Sequence, residues 1–106
     1  MDIADWRKLI DEIDLKLVEL MNQRARAAQE IGKLKRNTRM PIYEPEREKK
    51  IFENIRRANQ GPLPDRALIQ MYERLIDVMR KLQQQEIAAK AEADGGDTEL
   101  EADVND

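Results

Sequence analysis

Cysteine and histidine are both missing from this sequence of 106 residues. Without cysteine, the chain can form no disulfide and offers no thiolate as a nucleophile or metal ligand. Without histidine, it lacks the side chain that most often binds metals and acts as a general base near neutral pH. We therefore exclude a Ser-His triad and a metal-dependent hydrolase, and we expect no metal and no other cofactor.

Long apolar runs are missing as well. No segment approaches the roughly 18 consecutive apolar residues that suggest a membrane span, and the N-terminus has no apolar run of signal-peptide length. From this pattern we expect a cytoplasmic protein that does not bind a membrane.

Glycine and proline are scarce, with four of each, and half of these eight residues lie in two short breaks. The breaks fall at residues 37–41 and 60–64 and separate three helical segments. Proline suits the first helical position, so the second helix should begin at Pro45. The third should begin at Asp65, which can cap it, and should run to about Ala89. Since no segment alternates as a strand does, we predict an all-α fold with three helices per chain.

The first predicted helix is too long for the rest of the chain. It begins near Asp2 or Ile3 and continues to Asn37, which is about 34 residues or about 50 Å. That length exceeds the diameter expected for a globule of about 90 residues. We predict an intertwined helical homodimer in which the long helices pair and each site draws residues from both chains. The alternative is a three-helix monomer with frayed ends.

Acidic residues are concentrated at the C-terminal end. Residues 92–106 contain seven acids and neither lysine nor arginine. We predict one folded domain over residues 1–90 and a disordered acidic tail over residues 91–106. Residues 1–91 carry all 19 basic residues and 15 of the 22 acids, a formal charge of +4, although the whole chain is −3. The folded part therefore favours an anionic ligand.

Two cations interrupt the apolar stripe of the first helix. Arg24 and Lys35 are eleven residues apart, which places them within about 20° of each other on one face. A buried cation without a partner costs several kcal/mol, so each needs an internal carboxylate, contact with water, or an anionic ligand. The stripe consists of Trp6, Ile10, Ile13, Leu17, Leu20, Arg24, Ala27, Ile31 and Lys35.

Further polar residues share the inward faces of the helices. Arg47 and Glu48 precede the apolar row of the second helix, although they could also form a solvated helix start. Gln83 continues the apolar row of the third helix, but it lies near the helix end and could be exposed. Arg7 is about 100° around the helix from Arg24 and about 25 Å along it, so it can join this cluster only from a second, antiparallel chain.

This set contains several cations, one carboxylate and one amide, but no credible nucleophile. It suits a small dicarboxylate held by arginines, with a hydroxyl bound to Glu48 and an ether oxygen bound to Lys35 and Gln83. The reaction it favours needs only positioning and stabilisation of charge.

The order and spacing of these residues closely resemble those of the all-helical (AroQ-type) chorismate mutases over residues 3 to about 85. The resemblance implies a chorismate mutase II-like fold, an intertwined dimer with two equivalent sites, and rearrangement of chorismate to prephenate on the route to Phe and Tyr. The matching positions are Arg7, Ile10, Asp11, Ile13, Asp14, Leu17, Leu20, Arg24, Ile31, Gly32, Lys35, Pro41, Glu44, Arg47 and Glu48.

The resemblance also implies a role for each polar position. Arg24 and Arg7 of the partner subunit would hold the two substrate carboxylates, supported by Arg47. Glu48 would accept a hydrogen bond from the ring hydroxyl.

On the other side of the implied site, Lys35 and Gln83 would donate to the ether oxygen as it gains negative charge. Glu44 matches a position at the mouth of the site that is often Asp. Met79 stands where many relatives have Ser, which suggests a more apolar wall.

Three other functions are compatible with parts of the pattern. Isochorismate-pyruvate lyases share the scaffold and the cationic pocket but lack the carboxylate that corresponds to Glu48. A non-catalytic helical dimer could dock on another enzyme of the shikimate pathway. A nucleic-acid binder is the weakest alternative, because the basic residues are dispersed among acids and only 4% of residues are aromatic.

Overall fold

The computed structural model describes the backbone of residues 1–95 and the side chains of residues 1–89. It contains three α-helices: α1 (Ile3–Lys35), α2 (Pro45–Ala58) and α3 (Asp65–Gly95). The described residues contain no strand. The all-α prediction is confirmed, and each helix begins where the sequence predicts.

Helix α1 begins with a reciprocal cap. The backbone N–H of Asp5 donates to the Asp2 carboxylate at 2.9 Å, and the backbone N–H of Asp2 donates to the Asp5 carboxylate at 3.1 Å. These bonds satisfy two of the backbone groups that a helix start leaves unpaired. The helix ends at Lys35, where the N–H of Arg36 still reaches the carbonyl of Gly32 at 3.2 Å.

The turn between α2 and α3 is organised by one asparagine. The Asn59 amide donates to the carbonyl of Leu63 at 2.9 Å and to the Asp65 carboxylate at 2.6 Å. Its oxygen accepts from the N–H of Gly61 at 3.0 Å, and Gly61 has the positive φ of 76° that glycine adopts readily. The turn therefore places the start of α3 close to the end of α2.

Helix α3 continues to Gly95, beyond the end that the sequence predicts near Ala89. The additional residues are mostly Ala, Glu and Lys, which favour helix. Residues 91–95 of the predicted disordered tail are therefore helical, and residues 96–106 lie outside the described residues.

Helix α3 packs against both of the other helices, and it meets α1 closely at Gly32. A Cβ atom at this glycine would lie 3.0 Å from the Cα of Gln83 and 3.2 Å from its carbonyl oxygen. One turn further along, Arg36 donates to the carbonyl of Glu86 at 2.8 Å and to its carboxylate at 2.6 Å. These contacts fix the end of α1 against α3, beside the buried Ile76 and Met79.

The N-terminal two thirds of α1 lies outside this packing. Its apolar stripe is exposed in the single chain, including Trp6 at 53% and Leu20 at 58%. The radius of gyration is 17.8 Å, whereas a compact domain of this length would have about 13 Å. Helices α2 and α3 thus leave much of the stripe uncovered. The dimer was predicted from the sequence for this reason.

Candidate active site

A cavity of about 390 Å³ lies between the C-terminal half of α1, the start of α2 and the middle of α3. Six of the eight residues predicted for the site line it. The lining consists of Arg24, Ala27, Ala28, Ile31, Ile42, Glu44, Arg47, Glu48, Ile51, Ile76, Met79, Arg80 and Gln83.

Lys35 contacts two of these lining residues, Glu44 and Gln83. Its side chain is 4% exposed, and its Nζ donates to Glu44 Oε2 and to Gln83 Oε1, both at 3.0 Å. An ammonium group has three N–H donors, so one remains for a ligand. Gln83 accepts through its oxygen, and its NH₂ group has no acceptor among residues 1–89, so it can donate to a ligand. The burial of this lysine was predicted, whereas its pairing with Glu44 was not.

Glu44 lies at the start of α2 and also binds Lys35. It occupies the N-cap position of α2, yet its side chain makes no capping hydrogen bond there. Its carboxylate binds Lys35 instead, and Pro45 at the first helical position removes one N–H that would otherwise need a partner.

Two arginines, Arg24 and Arg47, supply positive charge to the cavity. Arg24 from α1 is half-buried, and Arg47 from α2 is exposed and also lines the cavity. Within residues 1–89, neither guanidinium forms an ion pair with a carboxylate. Guanidinium groups in such positions can bind the carboxylates of a ligand in a two-pronged geometry.

A third arginine in the cavity, Arg80, is absent from the sequence prediction. Its Nε lies 3.3 Å from Glu48 Oε2, and its guanidinium carbon lies 5.2 Å from the centre of the Tyr43 ring. The sequence did contain a signal, because Ile76, Arg80 and Gln83 follow one another at helical spacings of four and three.

The rest of the cavity wall is apolar. Met79 is buried at 5% exposure, and it shares the lining with isoleucines from α1, α2, α3 and the segment before α2. A thioether in this position offers no strong hydrogen bond, so a ligand would meet a hydrophobic surface on this side.

Arg7 is the one predicted site residue that the single chain places elsewhere. It is exposed near the start of α1 and does not line the cavity. Its contribution to a partner's site stays a prediction.

The cavity and Lys35 together bring four cations and two carboxylates close to one another. The net charge of these six groups is positive, so the site favours a small anion.

Among the described residues, no group of three or more acidic side chains could hold a metal ion. None of the three helices, within residues 1–95, has the length and apolar character needed to cross a membrane.

Comparison with known proteins gives a family that agrees with this site. A sequence model described as "Chorismate mutase type II" matches residues 6–84, which include every predicted site residue. The chain belongs to the type II chorismate mutase family. The resemblance inferred from the spacing of the polar residues is thereby confirmed.

Individual relatives of this chorismate mutase family member differ in length. The chorismate mutase of Methanocaldococcus jannaschii is 34% identical over 84 residues, which cover 78% of this chain and 85% of the relative. A bifunctional chorismate mutase/prephenate dehydratase of Aquifex aeolicus is 38% identical over 86 residues, which are 77% of this chain but 24% of the relative. The chain thus spans about a quarter of the bifunctional relative.

A solved structure shares the fold. The form II chorismate mutase of Thermus thermophilus superposes with a TM-score of 0.75 at 28% sequence identity. The superposition covers 77% of this chain and 93% of the solved chain. The three-helix architecture is therefore that of a chorismate mutase of this form.

Proposed function

We propose that this chain catalyses the rearrangement of chorismate to prephenate. The observation that carries the proposal is the combination of two guanidinium groups at one cavity, Arg24 and Arg47, with Lys35, which donates to the lining residue Gln83. Among residues 1–89, neither guanidinium has a carboxylate partner. Chorismate offers two carboxylates, an ether oxygen and a ring hydroxyl, and each has a suitable partner in this set.

The reaction is a pericyclic rearrangement, in which one C–O bond breaks and one C–C bond forms within a single molecule. It needs no nucleophile and no proton transfer, which fits a site that has no histidine or cysteine. The enzyme must hold the bent conformer in which the reacting carbons meet. Arginines that bind both carboxylates in that conformer reduce the entropic part of the barrier.

Stabilisation of negative charge at the ether oxygen lowers the barrier further. As the C–O bond breaks, the oxygen gains negative charge, so donors already in place bind the transition state more tightly than the substrate. Lys35 and Gln83 are held at 3.0 Å from each other, and both keep a donor for that oxygen. Glu44 fixes the lysine from the mouth of the cavity.

Glu48 distinguishes the mutase from its nearest alternative. Its carboxylate lines the cavity and can accept the ring hydroxyl of chorismate. An isochorismate-pyruvate lyase is expected to lack a carboxylate at this position, so its presence favours the mutase. A non-catalytic dimer would have no need of cavity arginines that, among residues 1–89, lack carboxylate partners.

The active form is proposed to be a homodimer in which the partner subunit's Arg7 completes each site. The exposed apolar stripe of α1 and the extents of 59 × 31 × 20 Å support a second chain packed along α1. The names of the bifunctional relatives join a mutase to a prephenate dehydratase, which supports a partner enzyme from the same pathway. The cytoplasmic location stays a prediction.

The test is to follow the loss of chorismate absorbance with the purified chain, while measuring its mass in solution. Saturable conversion by a species of twice the chain mass is expected, together with a large loss of activity in Arg24→Ala. Absence of conversion by a folded dimer would instead favour the non-catalytic alternative.

A further inference from the structure

Arg80 lies at the centre of an arrangement that the proposed reaction leaves unexplained. It is half-buried on α3 between the buried Met79 and the turn that carries Gln83. Its Nε is inaccessible to solvent and, within the described residues, makes no hydrogen bond. A buried guanidinium nitrogen without a hydrogen bond is costly, so the nearby carboxylate matters to it.

That carboxylate belongs to Glu48, whose Oε2 lies 3.3 Å from Arg80 Nε. The contact is an ion pair without hydrogen-bond alignment, because this Nε has no hydrogen-bond partner among the described residues. The Glu48 side chain is 18% exposed, so solvent screens the attraction less than at a surface. Arg80 therefore acts on Glu48 by charge and holds one of its two oxygens.

The guanidinium is itself held by a second contact. Its carbon lies 5.2 Å from the centre of the Tyr43 ring, within the range of a cation–π interaction. Tyr43 lies in the segment before α2, and Glu48 lies in the first turns of α2. Arg80 is thus fixed against the same part of the chain that carries the carboxylate.

Glu48 has other cations within the same cavity. Arg24 and Arg47 line it without carboxylate partners among residues 1–89, and either would attract a carboxylate that was free to turn. If Glu48 paired with them, it would compete with the carboxylates of the substrate. An acid among binding arginines therefore needs a separate cation that keeps it in place.

We propose that Arg80 is a positioning residue for substrate recognition. It binds Glu48 through Oε2, keeps the carboxylate away from Arg24 and Arg47, and leaves the other oxygen to accept the substrate hydroxyl. A carboxylate has about four acceptor positions, so one ion pair leaves sufficient capacity for a ligand. This inference rests on the proposed function, because the hydroxyl is that of chorismate.

The test compares two ligands that differ only in the hydroxyl. One is a stable bicyclic ether dicarboxylate with the shape of the transition state and a ring hydroxyl; the other is the same compound without the hydroxyl. Calorimetry gives the ratio of their dissociation constants. The wild type is expected to prefer the hydroxyl compound by about tenfold or more, as for a hydrogen bond to a charged group.

Arg80→Met should reduce this ratio to about twofold or less, whatever it does to the affinity for both dicarboxylates. The ratio is the decisive quantity, because lost positive charge or altered packing weakens both compounds alike. Arg80→Lys should restore part of the preference. In a Glu48→Ala background the acceptor for the hydroxyl is absent, so Arg80→Met should not change the ratio further.

Arg74→Met is the matched control. Arg74 is on the same helix and pairs with Asp77 at 2.9 Å, but its side chain is 72% exposed. This variant should keep the full preference for the hydroxyl compound.

An unchanged ratio in Arg80→Met would overturn the positioning role. A third outcome separates the two proposals. If the wild type prefers the hydroxyl compound and Arg80→Met does not, but the wild type does not convert chorismate, the proposed function fails while the positioning of Glu48 stands.

Discussion

The close approach of α1 and α3 at Gly32 offers a quantitative test of how α1 positions the site. In Gly32→Ala the new Cβ would lie 3.0 Å from Gln83 Cα, 3.2 Å from its carbonyl oxygen and 3.2 Å from Glu86 Cβ. Two of these three atoms belong to the backbone and cannot rotate away. We therefore expect α3 to move by a few tenths of an ångström at the residue that binds Lys35.

The sign of the stability change decides between two physical effects. Alanine in place of glycine inside a helix stabilises by about 0.5 to 1 kcal/mol when space allows. Overpacking of a tight contact costs about 1 to 3 kcal/mol, so a net loss of up to about 2.5 kcal/mol is expected. Urea unfolding at fixed protein concentration measures this difference.

Activity should respond to the same displacement. A misplacement of about 1 Å can cost about a hundredfold in rate, so a smaller shift of Gln83 should lower kcat by about tenfold. Lys33→Ala, one residue away and exposed, should leave both stability and kcat nearly unchanged. A Gly32→Ala protein that is more stable than the wild type and fully active would refute this reasoning.

Two further predictions concern the donors at the ether oxygen. Lys35→Ala should lower kcat/KM by at least about a hundredfold, because removing one preorganised donor costs about 2.7 to 4 kcal/mol of transition-state stabilisation. The circular dichroism spectrum should be unchanged; an unfolded variant would show that Lys35 is structural. Because an amide does not titrate, kcat should be flat through neutral pH, whereas Gln83→Glu should restrict activity to acidic pH, where the carboxylic acid can donate. A sharp acidic optimum in the wild type would argue against Gln83 as a donor.

Much of the fold was predictable from local signals. Asp2 caps α1 and Pro45 begins α2, because a capping carboxylate and a proline act on the adjacent backbone alone. Helix α3 begins at Asp65 as predicted, but the Asp65 carboxylate accepts from the Asn59 side chain. The end of α3 was not predictable in the same way, since Ala, Glu and Lys favour helix without fixing where it stops.

The candidate site was predictable where helical periodicity places a polar residue on an apolar face. Lys35 and Gln83 were expected to cooperate, and the structure brings them to 3.0 Å. The partners of the charges were not predictable, because they depend on how separate helices meet. The pairing of Glu44 with Lys35 and of Arg80 with Glu48 both cross between elements of the fold.

The central claim is that cations from two chains bind one dicarboxylate, and subunit exchange between two inactive variants tests it most directly. Arg7→Ala and Arg24→Ala should each be nearly inactive alone. After unfolding and refolding together, mixed dimers should contain one intact and one doubly altered site, so activity should recover to about a quarter of the wild type. If mixed dimers form but activity does not return, Arg7 does not complete the partner's site, and the account is contradicted.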